Sequence, residues 1–421
     1  PWGNVISNGD FGMMISQNGS GYCWRGNAGQ NRITRSFQDL IKDNWGQYFY
    51  IRDLESRKFW SASLKPVMTR STFYEVAHGL GYSRFTRELN EIKSEMTVFV
   101  TVKDPIQINT ITLTNNSHKV RHLDLSSYAE WSLGFAPDEH REFHKLFIET
   151  AVDKAHHAVT ARKCLWGFGD EKGRHNNVSW PYTAFMACSE PLKSYDCDKE
   201  SFIGMYRNDD KPLAMEQPML AQRVGRFGDA IAALQTEVTL KPGESKTIVF
   251  TLGIAEDDKE NHLDFIQHYT HVHGAHAALE GVHAFWKRFV DQETVETPDD
   301  ALNLMTNIWL KYQSISCRLW GKSAFYQVSA GYGYRDQLQD SQIFLVSEPE
   351  YTKKQLLMHA EKQFIEGDVE HWWFTIKGWG PRGNCSDDLL WLPFILDAYL
   401  KETGDMAILD VKMPRMDGME L

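Results

Sequence analysis

The first half of the chain alternates apolar and polar residues with a period of two. Met96, Val98 and Val100 are spaced by Thr97 and Phe99 before Asp104-Pro105 marks a turn. Ile106 and Ile108 open the next run, which closes at Asn115-Asn116-Ser117. Val238 and Leu240 precede the turn Lys241-Pro242-Gly243-Glu244, after which Ile248, Phe250, Leu252 and Ile254 fall on one face. Many such runs, divided by Gly, Pro and Asn turns, predict a large antiparallel β-sandwich over residues 1–255.

The period then lengthens. Residues 256–296 read as a His-rich linker, helical from about Asn261 to Val290. Thr297-Pro298-Asp299-Asp300 has the layout of a helix start: an N-cap, a proline at the first helical position, and acids that complement the helix dipole. Leu304, Ile308, Tyr312 and Ile315 follow at helical spacing. Leu356, Leu357, Ala360 and Phe364 predict a second helix, and Leu389 to Leu400 a third. Residues 297–421 are therefore expected to form a helical array.

Composition narrows the function classes. The 421 residues exceed one ordinary core, which agrees with two domains. Aromatic residues make up 13%, with 14 Trp, which suits stacking on pyranose faces and suits a large β core equally well. The net charge of −11 and the absence of a Lys/Arg block argue against nucleic acid and anionic membranes as partners. A small anion such as phosphate remains open, because local donors bind it whatever the net charge. No apolar run reaches the roughly 18 residues of a membrane span, and Pro1-Trp2-Gly3-Asn4 lacks the layout of a signal peptide, so a cytoplasmic location is expected. The six cysteines are scattered and read as reduced thiols. Both ends look abrupt, and the chain is expected to be a piece of a longer one.

Two stretches of the helical half carry candidate chemistry. Gly321 to Gln327 leads into Ala330-Gly331-Tyr332-Gly333-Tyr334-Arg335-Asp336-Gln337, an exposed loop feeding a helix. Its adjacent guanidinium and carboxylate can bind neighbouring sugar hydroxyls, or can form an ion pair that stitches the loop down. The second stretch runs from Glu366-Gly367-Asp368-Val369-Glu370-His371-Trp372-Trp373 to Gly378-Trp379-Gly380-Pro381-Arg382-Gly383-Asn384-Cys385-Ser386-Asp387-Asp388. Ser386 with the following acids fits an ordinary N-cap, and Asp387 and Asp388 fit capping or sugar binding equally. The candidate substrate-binding set is Arg335, Asp336, Gln339, His371, Trp372, Arg382, Asp387 and Asp388.

Several motifs in order resemble glycoside hydrolase family 94. They are Ser7-Asn8-Gly9-Asp10-Phe11-Gly12, Gly19-Ser20-Gly21-Tyr22-Cys23-Trp24, Asn31-Arg32-Ile33-Thr34-Arg35 and Asp43-Asn44-Trp45-Gly46-Gln47-Tyr48, with Ile51-Arg52-Asp53 and Phe59-Trp60-Ser61. In the second half they are Tyr334 to Asp340, Glu366 to Trp373, Ser386 to Leu392 and Thr403-Gly404-Asp405. The family holds cellobiose, cellodextrin and chitobiose phosphorylases and the last part of cyclic β-1,2-glucan synthases. The resemblance implies a β super-sandwich, a helical linker and the first part of an (α/α)6 barrel with its site at the barrel mouth. It implies that Arg335 and Asp336 hold the sugar of the donor subsite. Cellobiose phosphorylases carry a further Arg shortly before that pair, where this chain has Ala330.

The activity so implied is inverting phosphorolysis of a β-glucoside to α-glucose 1-phosphate, with inorganic phosphate as co-substrate and no other cofactor. An inverting hydrolase needs two carboxyls, whereas phosphate is already a nucleophile, so a phosphorylase needs only the acid. In the family that acid opens an Asp-Trp-Asn-Asp-like motif, and it is expected beyond Leu421, leaving these residues inactive alone. Family members pair as homodimers, which brings Trp24, Arg25 and the loop Asp138–His144 forward as contributors to a partner's site. A hydrolase using Asp336 and Asp387 is the first alternative.

The second alternative is a non-catalytic sugar-binding or regulatory protein. It rests on Ile408-Leu409-Asp410…Pro414…Asp417-Gly418, which is similar to the phosphoacceptor segment of response-regulator receivers, where the acceptor Asp ends a strand. No metal site is expected. His140-Arg141-Glu142-Phe143-His144 lacks H-E-x-x-H spacing and, if extended, makes a polar wall. His268, His271, His273, His276 and His283 read as solvated linker histidines.

Overall fold

The computed structural model describes residues 2–416 other than 37, 38, 40, 135–141, 165–178, 227, 325–327, 329, 377 and 415. It contains two compact units. One comprises Pro1–Arg25 and Asn31–His283, the other Gly26–Gln30 and Ala284–Leu421.

The first unit holds two sheets with antiparallel pairing, each of nine strands among the described residues. In one, the long strand Arg121–Gly134 pairs with Ala230–Leu240, Gln47–Asp53 and Arg32–Thr34. In the other, Ile106–Asn115 lies between Ile92–Val100 and Ser245–Glu256. The predicted parity is present. Met96, Val98, Val100, Ile248, Phe250, Leu252 and Ile254 share one apolar core with Leu123, Leu125, Val238 and Leu240. Ile106 and Ile108 are buried too, but they alternate with Gln107 and Asn109, whose parity matches the core residues Ile111 and Leu113. Gln107 Nε2 donates to Gln47 Oε1 at 2.8 Å and to Asn109 Oδ1 at 3.2 Å, so this polar group is buried with partners.

The opening motifs are turn and cap chemistry of this sandwich. Asn8 Oδ1 accepts from Asp10 N and Phe11 N across the hairpin turn, where Gly9 has φ 96°. Asp43 gathers Ser16 Oγ at 2.7 Å, Asn18 Nδ2 at 2.5 Å and Ser20 Oγ at 3.2 Å, fixing one end of the strand Phe11–Ser16.

The expected connector is helical, as His262–Tyr269 and Val272–Val290, and Asn261 caps the first by accepting from Leu263 N. His268, His271, His273 and His276 are exposed, and His283 stands 5.2 Å from the Tyr82 ring. The segment 142–147 is a 3₁₀ helix, not a strand, which removes the extended polar wall; His140 and Arg141, with most of the loop Asp138–His144, lie outside the described residues.

In the second unit the helix start differs by two residues from expectation. Asp299 is the N-cap, accepting from Ala301 N at 2.9 Å and Leu302 N at 3.2 Å, while Thr297 bonds Asn303 instead. The helical run Asp300–Gly321 alternates α and π turns. The π turns widen the repeat, so Tyr312 and Ile315 are buried while Leu304 is exposed. The helix Pro349–Ala360 stops short of Phe364, which instead opens a turn to Asp368 through Gly367 at φ 96°. The helix Asp388–Thr403 ends at Gly404 in the left-handed region, with Gly404 N donating to Leu400 O. These helices enclose Leu338, Leu356, Ile395 and Tyr399 together with Tyr332, Tyr334 and Trp373.

The receiver expectation fails on geometry: Met406–Asp410 is a 3₁₀ helix, so Asp410 ends no strand. Asp417 and Gly418 lie outside the described residues. Among those described, no helix is long and apolar enough to cross a membrane.

Candidate functional site

A two-stranded ribbon organises the candidate residues. Tyr332 pairs with Trp373 and Gly333 with Trp372, and Tyr334 N donates to His371 O at 3.0 Å. The ribbon thus joins two segments far apart in sequence. Tyr334 then begins the helix Tyr334–Asp340, whose buried residues Tyr334, Gln337 and Leu338 face the apolar cluster. That burial leaves Arg335 and Asp336 on the outer side of the first turn, with side chains 50% and 53% exposed.

Arg335 Nη1 donates to Asp387 Oδ2 at 3.0 Å, and Arg335 Nε lies 4.0 Å from Asp336 Oδ1. The guanidinium therefore stands between two carboxylates. Its hydrogen bond holds the Asp387 carboxyl below the usual carboxylate range, so Asp387 is anionic at neutral pH. Asp387 occupies the N-cap position of Asp388–Thr403 but makes no capping bond, and Ser386 is not the cap. Asp388 is buried and accepts from His371 Nδ1 at 2.6 Å, leaving the imidazole 46% exposed. Arg335, Asp336, Asp387, His371 and Asp388 are therefore linked through the ribbon and one helix end. Trp372 sits beside His371, edge-on to Phe374 at 5.2 Å and to Trp379 at 5.8 Å.

Two candidates stand differently. Arg382 donates to both Asp368 oxygens and to Glu366 Oε2, and lies 4.3 Å over the Phe364 ring, a clamp that closes its own loop. Gln339 is exposed, and its backbone carbonyl accepts from Gln342 Nε2 at 3.0 Å. In the first unit, Trp24 is a core residue 1% exposed, which removes it as a contributor to a partner's site; Arg25 holds Asp10 and Glu260.

Sequence patterning gave no sign of Lys322 or His359. Lys322 follows a helix end at φ 45°, with Nζ 4.3 Å from the Tyr332 ring, and burial pushes its ammonium down to about 7. His359 is buried among Tyr332, Tyr334 and Trp373, and burial pushes its imidazole down to about 4. Its position in the helix Pro349–Ala360 gave only an ordinary polar residue. His371, Cys385 and Asp388 place one donor atom each within 4.8 Å of one another, the single such group of three among the described residues.

Comparison with known proteins agrees with this architecture. The family model "Glycosyl hydrolase 94, supersandwich domain" matches residues 1–272, and "Glycosyl hydrolase 94 superfamily, catalytic domain" matches residues 285–420. The chain is 33% identical over its full length to a cyclic beta-(1,2)-glucan synthase NdvB of Rhizobium meliloti (strain 1021), covering 14% of that protein. It is 28% identical, again over its full length, to an N,N'-diacetylchitobiose phosphorylase of Vibrio proteolyticus, covering 55% of it. The chain therefore spans about half the length of that phosphorylase relative. Among solved structures, a bacterial glucoamylase complexed with acarbose aligns with a TM-score of 0.61 at 12% identity, over 97% of this chain and 58% of that one, a likeness of fold.

Proposed function

The chain belongs to glycoside hydrolase family 94, and from that premise we propose that the whole protein catalyses inverting phosphorolysis of a β-glucoside. A phosphate oxygen attacks the anomeric carbon from the face opposite the aglycone. The C1–O bond breaks, a general acid protonates the leaving oxygen, and the products are α-glucose 1-phosphate and a shortened sugar. No residue described above is assigned as that acid.

The observation that carries the reading is the exposed Arg335 guanidinium held between Asp336 and Asp387. Fixed donors and acceptors at one rim can hold ring hydroxyls while phosphate approaches, which is catalysis by positioning. Trp372 offers an apolar face beside them, and His371, steadied by Asp388, offers a further donor or acceptor. Gln339 and Arg382 are the weaker members of the set, Arg382 because its clamp already engages it. We also propose a cytoplasmic homodimer requiring no cofactor besides phosphate.

The same geometry disfavours a hydrolase in which Asp387 is the acid. An inverting hydrolase pairing Asp336 with Asp387 needs one of them to deliver a proton, which calls for a raised pKa. Asp387 is shifted the opposite way by Arg335.

The test is phosphate release from α-glucose 1-phosphate by the whole protein, offered a panel of acceptor sugars, with sugar release from the product oligosaccharide assayed with and without phosphate. Acceptor-dependent release of phosphate in the synthetic direction, and sugar release that requires added phosphate in the reverse direction, are expected. Sugar release at an equal rate without phosphate would establish hydrolysis instead.

A further inference from the structure

Residues Gly26–Gln30 belong to the second unit, although their neighbours on both sides in sequence belong to the first. Asn27 is fully buried. Its Oδ1 accepts from Gly29 N and Gln30 N, both at 2.9 Å, and its Nδ2 donates to Ala330 O at 2.9 Å. The two backbone donors at Oδ1 fix which end of the amide faces Ala330. Gln30, also buried, accepts from Ile376 N at its Oε1, 3.2 Å away.

These two bonds land on the two arms of the ribbon that presents the site. Ala330 lies two residues before Tyr332, and Ile376 three residues after Trp373. Ala330 is also buried at φ 53°, a left-handed conformation that an alanine adopts only when its surroundings impose it. The bond from Asn27 to its carbonyl is one such constraint. From Ala330 the chain passes through the Gly333–Trp372 pairing and the Tyr334–His371 bond directly into Arg335.

We propose that Asn27, assisted by Gln30, is a positioning residue for the sugar site. Asn27 clips the Ala330 arm of the ribbon and Gln30 the Ile376 arm, so that Arg335 and Asp336 meet the sugar ring in register with His371 and Asp387. The inference rests on the reading of Arg335 and Asp336 as the groups that hold the sugar. Neither Asn27 nor Gln30 touches substrate in this account; both act through the backbone.

The experiment is steady-state kinetics on the whole protein carrying Asn27→Ala, alone and combined with Ala330→Gly. Asn27→Ala is expected to raise KM for the sugar by about tenfold, because positional loss at a binding group is costly. KM for phosphate and kcat should stay within about twofold. Glycine adopts the left-handed conformation without constraint, so Asn27→Ala/Ala330→Gly should recover most of the lost sugar affinity. Should Asn27→Ala fail to unfold cooperatively, Gln30→Leu, which removes the bond to Ile376 N, carries the same expectation. An unchanged sugar KM would overturn the inference. So would a fall in kcat with a rise in both KM values and no rescue, since that is what general damage to the site gives. A wild-type protein that neither binds nor turns over sugar would instead overturn the functional reading beneath it.

Discussion

At the scale of single residues, exposure and partnership separate the candidates more sharply than residue type does. Arg335 and Arg382 are both paired with acids, but Arg335 is shared between Asp336 and Asp387 on an open face, whereas Arg382 is engaged with Asp368, Glu366 and the Phe364 ring. The sequence could not distinguish them, because it shows neighbours along the chain and not the partners supplied by folding. Likewise Ser386 and Asp387 carried a capping signal, yet Asp387 is turned from the helix to Arg335, fifty-two positions away in sequence. A single atom also decides whether the ribbon can form. A Cβ on Gly380 would lie 1.8 Å from Trp372 O, a backbone clash with no flexible side chain to give way. Gly380→Ala is therefore expected to destabilise the second unit by about 3 kcal/mol or more, read as a lowered unfolding midpoint. A midpoint within a degree of wild type would show that the Trp372 loop is not held as described.

At the scale of elements, the β half was the more legible. Alternation at Ile248, Phe250, Leu252 and Ile254 gave the core face directly, since a strand side chain has only two faces available. The helical half was harder to read, because π turns within Asp300–Gly321 and the early stop of Pro349–Ala360 break a uniform 3.6-residue repeat. His359 was hidden for a related reason: its burial comes from the ribbon Tyr332–Gly333/Trp372–Trp373, a pairing with no local signature. That burial has a pH consequence. The imidazole titrates near 4 when folded and near 6.5 when free, and its Nδ1 faces the carbonyl of Gln355. Between those values the unfolded chain binds the extra proton. Stability from this group is thus full above pH 6.5 and falls away as pH drops toward 4, by up to about 3 kcal/mol. Urea unfolding of wild type and His359→Phe across pH 4–7 should show the wild type losing stability relative to the variant over that window. Parallel curves would mean that His359 is not buried as described.

At the scale of the whole molecule, several motifs in order gave the family, and most of them turn out to build the fold rather than the site. Ser7 to Phe11 forms a hairpin turn, Asp43 ties a strand end, and Thr403-Gly404-Asp405 terminates a helix, with Asp405 accepting from Lys353 and Tyr399. The proposed sugar-binding residues gather where the ribbon meets the start of Asp388–Thr403. The central claim is that Arg335, fixed by Asp387, holds the sugar during phosphorolysis. Its most direct test is kcat/KM for the sugar, measured in the phosphorolytic direction on the whole protein with Arg335→Lys. Lysine keeps the charge but loses the planar fork that lies between the Asp336 and Asp387 carboxylates. A fall of about a hundredfold, equivalent to roughly 3 kcal/mol, is expected, with the unfolding midpoint unchanged. A kcat/KM within twofold of wild type would contradict it.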